Sequence, residues 1–177
     1  MKAKFIYEAL KDILKGKSPD EILSDLENLD PDEMLERCAE IGFLPGVKRA
    51  LERGADVHAS NDWALRSASG NGHIDVVELL LKNGANVHVR NDYALQLASE
   101  EGHYAVVELL LKNGADINTD GGYALQLASE EGHYDVVELL LKTGANVHAS
   151  GDWALQLASE NGHYDVVELL KKYKNKN

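Results

Sequence analysis

Two short apolar patterns alternate along most of the chain. In Tyr93-Ala94-Leu95-Gln96-Leu97-Ala98-Ser99, Ala94, Leu95, Leu97 and Ala98 fall on one helical stripe, and Asp92 is placed to cap its start. Gly102 follows where such a helix would end in a residue of positive φ. The second pattern, Val106, Val107, Leu109, Leu110 and Leu111, is apolar nearly all round, as suits a helix enclosed by neighbours, and it stops at Asn113-Gly114. A short extended loop then leads to the next copy. Gly-His recurs at Gly72-His73, Gly102-His103, Gly132-His133 and Gly162-His163, thirty residues apart. Gly-Ala follows each of the first three at Gly84, Gly114 and Gly144, with an upstream copy at Gly54. Residues 91–120 and 121–150 are identical at twenty-one of thirty positions. The pattern predicts an all-α fold of repeated helical pairs in units 31–60, 61–90, 91–120, 121–150 and 151–177, the first of them diverged. One pair cannot bury its own apolar faces, so the copies are expected to stack as a solenoid.

The two ends differ from the body. In residues 1–30, Phe5, Ile6, Leu10, Ile13 and Leu14 recur at helical spacing, with Gly16 as a stop. Ser18-Pro19-Asp20-Glu21 has the form of a capping box opening a second helix with Ile22, Leu23 and Leu26. Asp30-Pro31-Asp32-Glu33 repeats the device, with Leu29 and Met34 placed for a hydrophobic staple. This segment is read as a helical amino-terminal cap. At the other end, the position of Leu81, Leu111 and Leu141 becomes Lys171, followed by Lys172, Lys174 and Lys176. The outward face turns polar, as a terminal repeat requires.

Composition narrows the function. The 177 residues carry 18 Lys and Arg against 30 Asp and Glu, a net charge of −12, and residues 61–168 alone hold 17 acidic and 5 basic groups. Such a surface repels phosphate-rich partners, so neither nucleic acid nor an anionic membrane is expected to bind directly. No apolar run approaches the ~20 residues that span a bilayer, and the interleaved charges at the start do not resemble a secretory signal. Cys38 is the single cysteine and stands on the column of Ala68, Ala98, Ala128 and Ala158, a core place for an inert thiol. A cytoplasmic monomer is the expectation.

The histidines could suggest a metal. Equivalent positions in neighbouring copies should lie ~8–10 Å apart, whereas zinc draws its nitrogens to ~2.0–2.1 Å. The Gly-His column is therefore assigned to turn-buttressing hydrogen bonds. No metal and no cofactor is expected. No catalytic string is present, and no pair of carboxylates stands in contrasting surroundings, so the chain is not expected to be an enzyme.

The string YALQLASEEGHYAVVELLLKNGADIN resembles the ankyrin repeat, whose familiar form is T-P-L-H-x-A-A-x-x-G-H-x-x-I/V-V-x-L-L-L-x-x-G-A-D-V-N. Leu95, Ala98, Gly102, His103, Val107, Leu110, Leu111, Gly114, Ala115 and Asp116 match it. Thr-Pro-Leu-His is replaced by Tyr93-Ala94-Leu95-Gln96, and three residues are missing from the finger between Arg90 and Tyr93. In that shortening the repeat is similar to those of large DNA viruses and bacteriophages. The resemblance implies a non-catalytic module that binds another protein through its concave face of loop tips and first helices. On that face it places Trp63, Arg66, Arg90, Asp92, Tyr93, Gln96, Asp120, Tyr123, Gln126, Trp153 and Gln156. Glu100, Glu101, Glu130, Glu131 and Glu160 flank them, so the partner is expected to be basic or polar. Two other readings are an acidic mimic that blocks a nucleic-acid-binding protein and a consensus-type engineered scaffold.

Overall fold

The computed structural model describes residues 17–175 and divides into two compact units, Met1–Asn86 and Val87–Asn177. The first contains α1 (Pro19–Leu26), α2 (Pro31–Ile41), α3 (Leu44–Glu52), α4 (Ala59–Gly70) and α5 (Ile74–Lys82). In the second are α6 (Val89–Glu100), α7 (Tyr104–Lys112), α8 (Thr119–Glu130), α9 (Tyr134–Thr143), a 3-10 turn (Ala149–Gly151), α10 (Trp153–Glu160) and α11 (Tyr164–Lys174). The described residues form no strand, so they are all-α as the periodicity predicts.

Local chemistry accounts for the helix starts. Ser18 and Glu21 close a capping box, with the Glu21 amide donating to Ser18 Oγ and the Ser18 amide donating to Glu21 Oε2 at 2.7 Å. Asp30 accepts from the Asp32 amide at 2.9 Å and opens α2, with Pro31 in its first turn. The helix expected around Phe5–Leu14, with its stop at Gly16, lies outside the described residues.

Packing repeats from copy to copy. In the first unit α1 packs on α3, and α2 packs on both α3 and α4. In the second, the first helices α6, α8 and α10 pack side by side, and so do the second helices α7, α9 and α11. Leu95, Val107, Leu110, Leu125, Val137 and Leu140 are buried between them, with Ala94, Ala98, Ala124 and Ala128 where helices approach closely. Cys38 is buried in the first unit, and burial pushes its thiol up to about 12, so it stays protonated and unreactive.

Within each unit, Gly-His pairs join one repeat to the next. His133 Nε2 lies 2.8 Å from the Glu100 carbonyl, and His163 Nε2 stands 2.8 Å from that of Glu130. His73 does the same in the first unit, 3.0 Å from Glu40. A carbonyl can only accept, so Nε2 carries the proton in each ring. Gly102 has φ 72°, and a methyl group there would lie 2.6 Å from the His133 ring. The glycine thus serves both its own turn and the histidine thirty-one residues later.

Two substitutions test this packing. Gly102→Ala forces a left-handed alanine against an imidazole and should cost about 2–4 kcal/mol in urea unfolding; an unchanged midpoint would deny the close approach. Ser99 and Ser129 are fully buried, and their hydroxyls have no hydrogen-bond partner among the described residues. Ser129→Ala should therefore stabilise by about 1 kcal/mol, and a loss of that size would reveal a partner.

Candidate functional site

The loop between repeats is not the extended connection that the sequence suggests. Arg90, Asn91 and Asp92 have φ 52°, 59° and 54°, one turn of left-handed backbone immediately before the helix proper begins at Tyr93. Ser60-Asn61-Asp62 and Asp120-Gly121-Gly122 do the same, and Ser150-Gly151-Asp152 follows with φ 52°, 72° and 65°. Left-handed backbone costs an L-residue roughly 1–2 kcal/mol. Asn, Asp and Gly tolerate it best, and they fill most of these positions.

Buried side chains hold three of the four turns. Gln96 Nε2 donates to the Asn91 carbonyl at 2.7 Å, and Gln126 Nε2 to that of Gly121 at 2.9 Å. Arg66 spans two carbonyls, those of Asn61 and Ser60, each at 3.0 Å. In the second unit the turns are also stitched together, because Asn91 Nδ2 donates to the Asp120 carboxylate at 3.2 Å and Gln126 reaches Ser150 Oγ at 3.3 Å.

Asp92 does not cap the helix that follows it. Its left-handed backbone turns the carboxylate toward the loop that closes the repeat. There Oδ1 accepts from the Asp116 amide at 3.0 Å and meets His88 Nδ1 at 3.0 Å, while Oδ2 accepts from Thr119 Oγ1 at 3.0 Å. Asp62 holds the Asn86 amide at 2.7 Å in the same way, and Asp32 that of Asp56 at 2.6 Å. Where Gly122 lacks a carboxylate, Asn118 replaces the histidine, and its Oδ1 accepts from the Asn146 amide at 2.9 Å. The exchange of His and Asp for Asn and Gly thus preserves the clamp. In the last repeat Lys174, standing where Gly114 and Gly144 stand earlier, keeps the helix going and reaches Asp152 Oδ2 at 2.6 Å.

The candidate contact residues divide accordingly. Arg66, Asp92, Gln96 and Gln126 are buried and spend their polar groups on the turns. Trp63, Tyr93, Tyr123 and Trp153 each emerge directly after a left-handed turn and are exposed. The Arg66 guanidinium stands 5.1 Å from the Trp63 ring centroid, and that of Arg90 6.0 Å from Tyr93. Asp120 is exposed and accepts from Asn91, while Gln156 is exposed and donates to Glu160 at 2.8 Å. Glu101 and Glu131 are exposed, and Glu100 and Glu130 half-buried. Burial first, then Glu101, Glu131 and Glu130, raise the Glu100 carboxyl above its ordinary value. The sequence reading overlooked Tyr104, Tyr134 and Tyr164, exposed at the starts of α7, α9 and α11. Their thirty-residue spacing directly after Gly-His was the available signal.

The comparison with protein families finds a match to ankyrin repeats (3 copies) over residues 34–120 and 95–177. No curated protein matches the chain.

The terminal latch is open to titration. Lys174, and after it His148, hold the Asp152 carboxyl below its ordinary 3.8. A carboxyl lowered on folding contributes stability that is present above 3.8 and lost as pH falls through the lower folded value. Lys174→Ala should lower stability at neutral pH, with the difference vanishing as acid protonates Asp152, and NMR titration should show Asp152 moving up toward 3.8. An Asp152 titration indifferent to Lys174 would contradict the latch.

Proposed function

We propose, from the premise that this chain belongs to the ankyrin-repeat family, that it binds another protein through the turn tips and the exposed faces of its first helices. Ankyrin repeats are interaction modules, and this chain's exposed chemistry suits that use. The observation that carries the reading is the placement of aromatic rings outside the core. Tyr93, Tyr123 and Trp153 are 37%, 43% and 42% exposed at equivalent places in successive repeats, although large aromatics gain most by burial. Tyr and Trp at such positions are typical anchors for protein partners.

Glutamates set the character of the partner. Glu100, Glu101, Glu130 and Glu131 lie toward the other end of the same helices, and none has a basic partner among the described residues. A protein with basic or polar groups would relieve that charge and associate faster at low salt.

Affinity capture from the source cell with the wild type and with Glu100→Lys, Glu101→Lys, Glu130→Lys and Glu131→Lys combined tests the surface. Proteins retained by the wild type should be lost from the variant and released by moderate salt. An unchanged set would remove this face from consideration. Competition by duplex DNA for a captured protein would point instead to an acidic mimic of nucleic acid.

A further inference from the structure

The exposed face of α6, α8 and α10 has dimensions as well as composition, and these specify the shape of what lies on it. Across the three helices run an aromatic row, Tyr93, Tyr123 and Trp153, and an acidic row, Glu100, Glu130 and Glu160. Between them lie Leu97, Leu127 and Leu157, of which Leu97 and Leu157 are only half-buried. Seven residues separate the aromatic row from the acidic row, about 10 Å at the helical rise. Neighbouring packed helices are themselves ~8–10 Å apart. The surface is therefore a grid of roughly 10 Å in both directions, apolar along one edge and anionic along the other.

Among regular chain conformations one matches both spacings. An α-helix is ~10–12 Å across with side chains, so, laid over the leucines, it reaches both rows at once. Seven of its residues advance about 10.5 Å, close to the step from one repeat to the next. Same-face side chains of an extended strand recur at ~6.6–7 Å and fall out of step with the repeats. A polyproline helix keeps step, at ~9.3 Å per turn, but it is too slender to cover both rows.

Resting on the docking reading above, we propose that the partner presents a basic amphipathic α-helix laid across α6, α8 and α10. Its apolar residues seat on the aromatic and leucine rows. Its Lys or Arg residues recur at heptad spacing along the glutamate row, one for each repeat. The like-charge crowding among Glu100, Glu101, Glu130 and Glu131 is the charge that such a helix neutralises.

Synthetic peptides test this on the full chain. The probe is a helix-forming peptide of about three heptads with Leu on one face and Lys at heptad spacing along its edge. One control has the same composition permuted to period two, and another sets the same Lys spacing on a polyproline frame. The heptad peptide should bind at least about tenfold tighter than either control and gain helical circular dichroism on binding. Glu100→Gln, Glu130→Gln and Glu160→Gln combined should weaken it about tenfold and flatten its salt dependence, and Tyr123→Ala should weaken it without altering that dependence. These positions are exposed or half-buried, and an unchanged unfolding midpoint verifies each variant's fold. A control peptide binding as tightly as the heptad peptide, yet still losing affinity with these variants, would overturn the helical partner and leave the docking surface standing. Binding by no peptide, or binding indifferent to every variant, would overturn the helical partner; if the charge-reversal capture were also unchanged, the surface would fall with it.

Discussion

A turn of left-handed backbone between repeats is the constraint from which the rest of this structure follows. With only thirty residues per copy there is no length for a projecting finger, and the chain reverses within three residues of positive φ. Such a turn is unfavourable for L-residues by itself. It persists because in three copies a buried Gln or Arg from the following helix binds its carbonyls, and because the carboxylate of Asp62 or Asp92 at its last position, or Asn118 where that position is Gly122, ties down the loop that ends the repeat. These polar side chains sit in a core that would otherwise favour apolar ones, and each is matched to the backbone groups the turn leaves unpaired.

The same turn creates the surface. It delivers the chain into each first helix so abruptly that the first helical residue, Trp63, Tyr93, Tyr123 or Trp153, points away from the core. The aromatic rings are left at the edge of the exposed face. At the opposite ends of the same helices, where the glutamates lie, Gly-His pairs fix the turns. Scaffold and surface are thus two consequences of one register.

Much of this was legible in the residues. The thirty-residue recurrence of Gly-His gave the repeat, the positive φ of Gly102 and the hydrogen-bonding role of the histidines, because glycine and imidazole have few other reasons to recur in register. The amphipathic stripes gave the helices, and Ser18-Pro19-Asp20-Glu21 its capping box. What escaped was conformational. Asn91-Asp92 reads equally as a polar loop with a helix cap or as left-handed backbone, and only the recurrence of Ser, Asn, Asp and Gly over three adjacent positions in four copies, with Arg90 the one exception, separates them. Gln96 and Gln126 looked like surface residues for a related reason: nothing in a glutamine shows that its amide faces a backbone carbonyl within the fold. The coupled change to Asn118 and Gly122 was visible as variation, and its meaning required knowing that the two positions share one hydrogen-bonding task.

The left-handed turn is tested most directly at Gly151, where φ is 72° and a methyl group would meet nothing within 4 Å, so backbone conformation alone decides the outcome. In denaturant unfolding, Gly151→Ala should destabilise the chain by about 1 kcal/mol, the cost of forcing an L-residue into left-handed backbone. In an ordinary turn the same change stabilises by roughly 0.4–1 kcal/mol through the unfolded state. A measured gain in stability would contradict the turn and the account built on it.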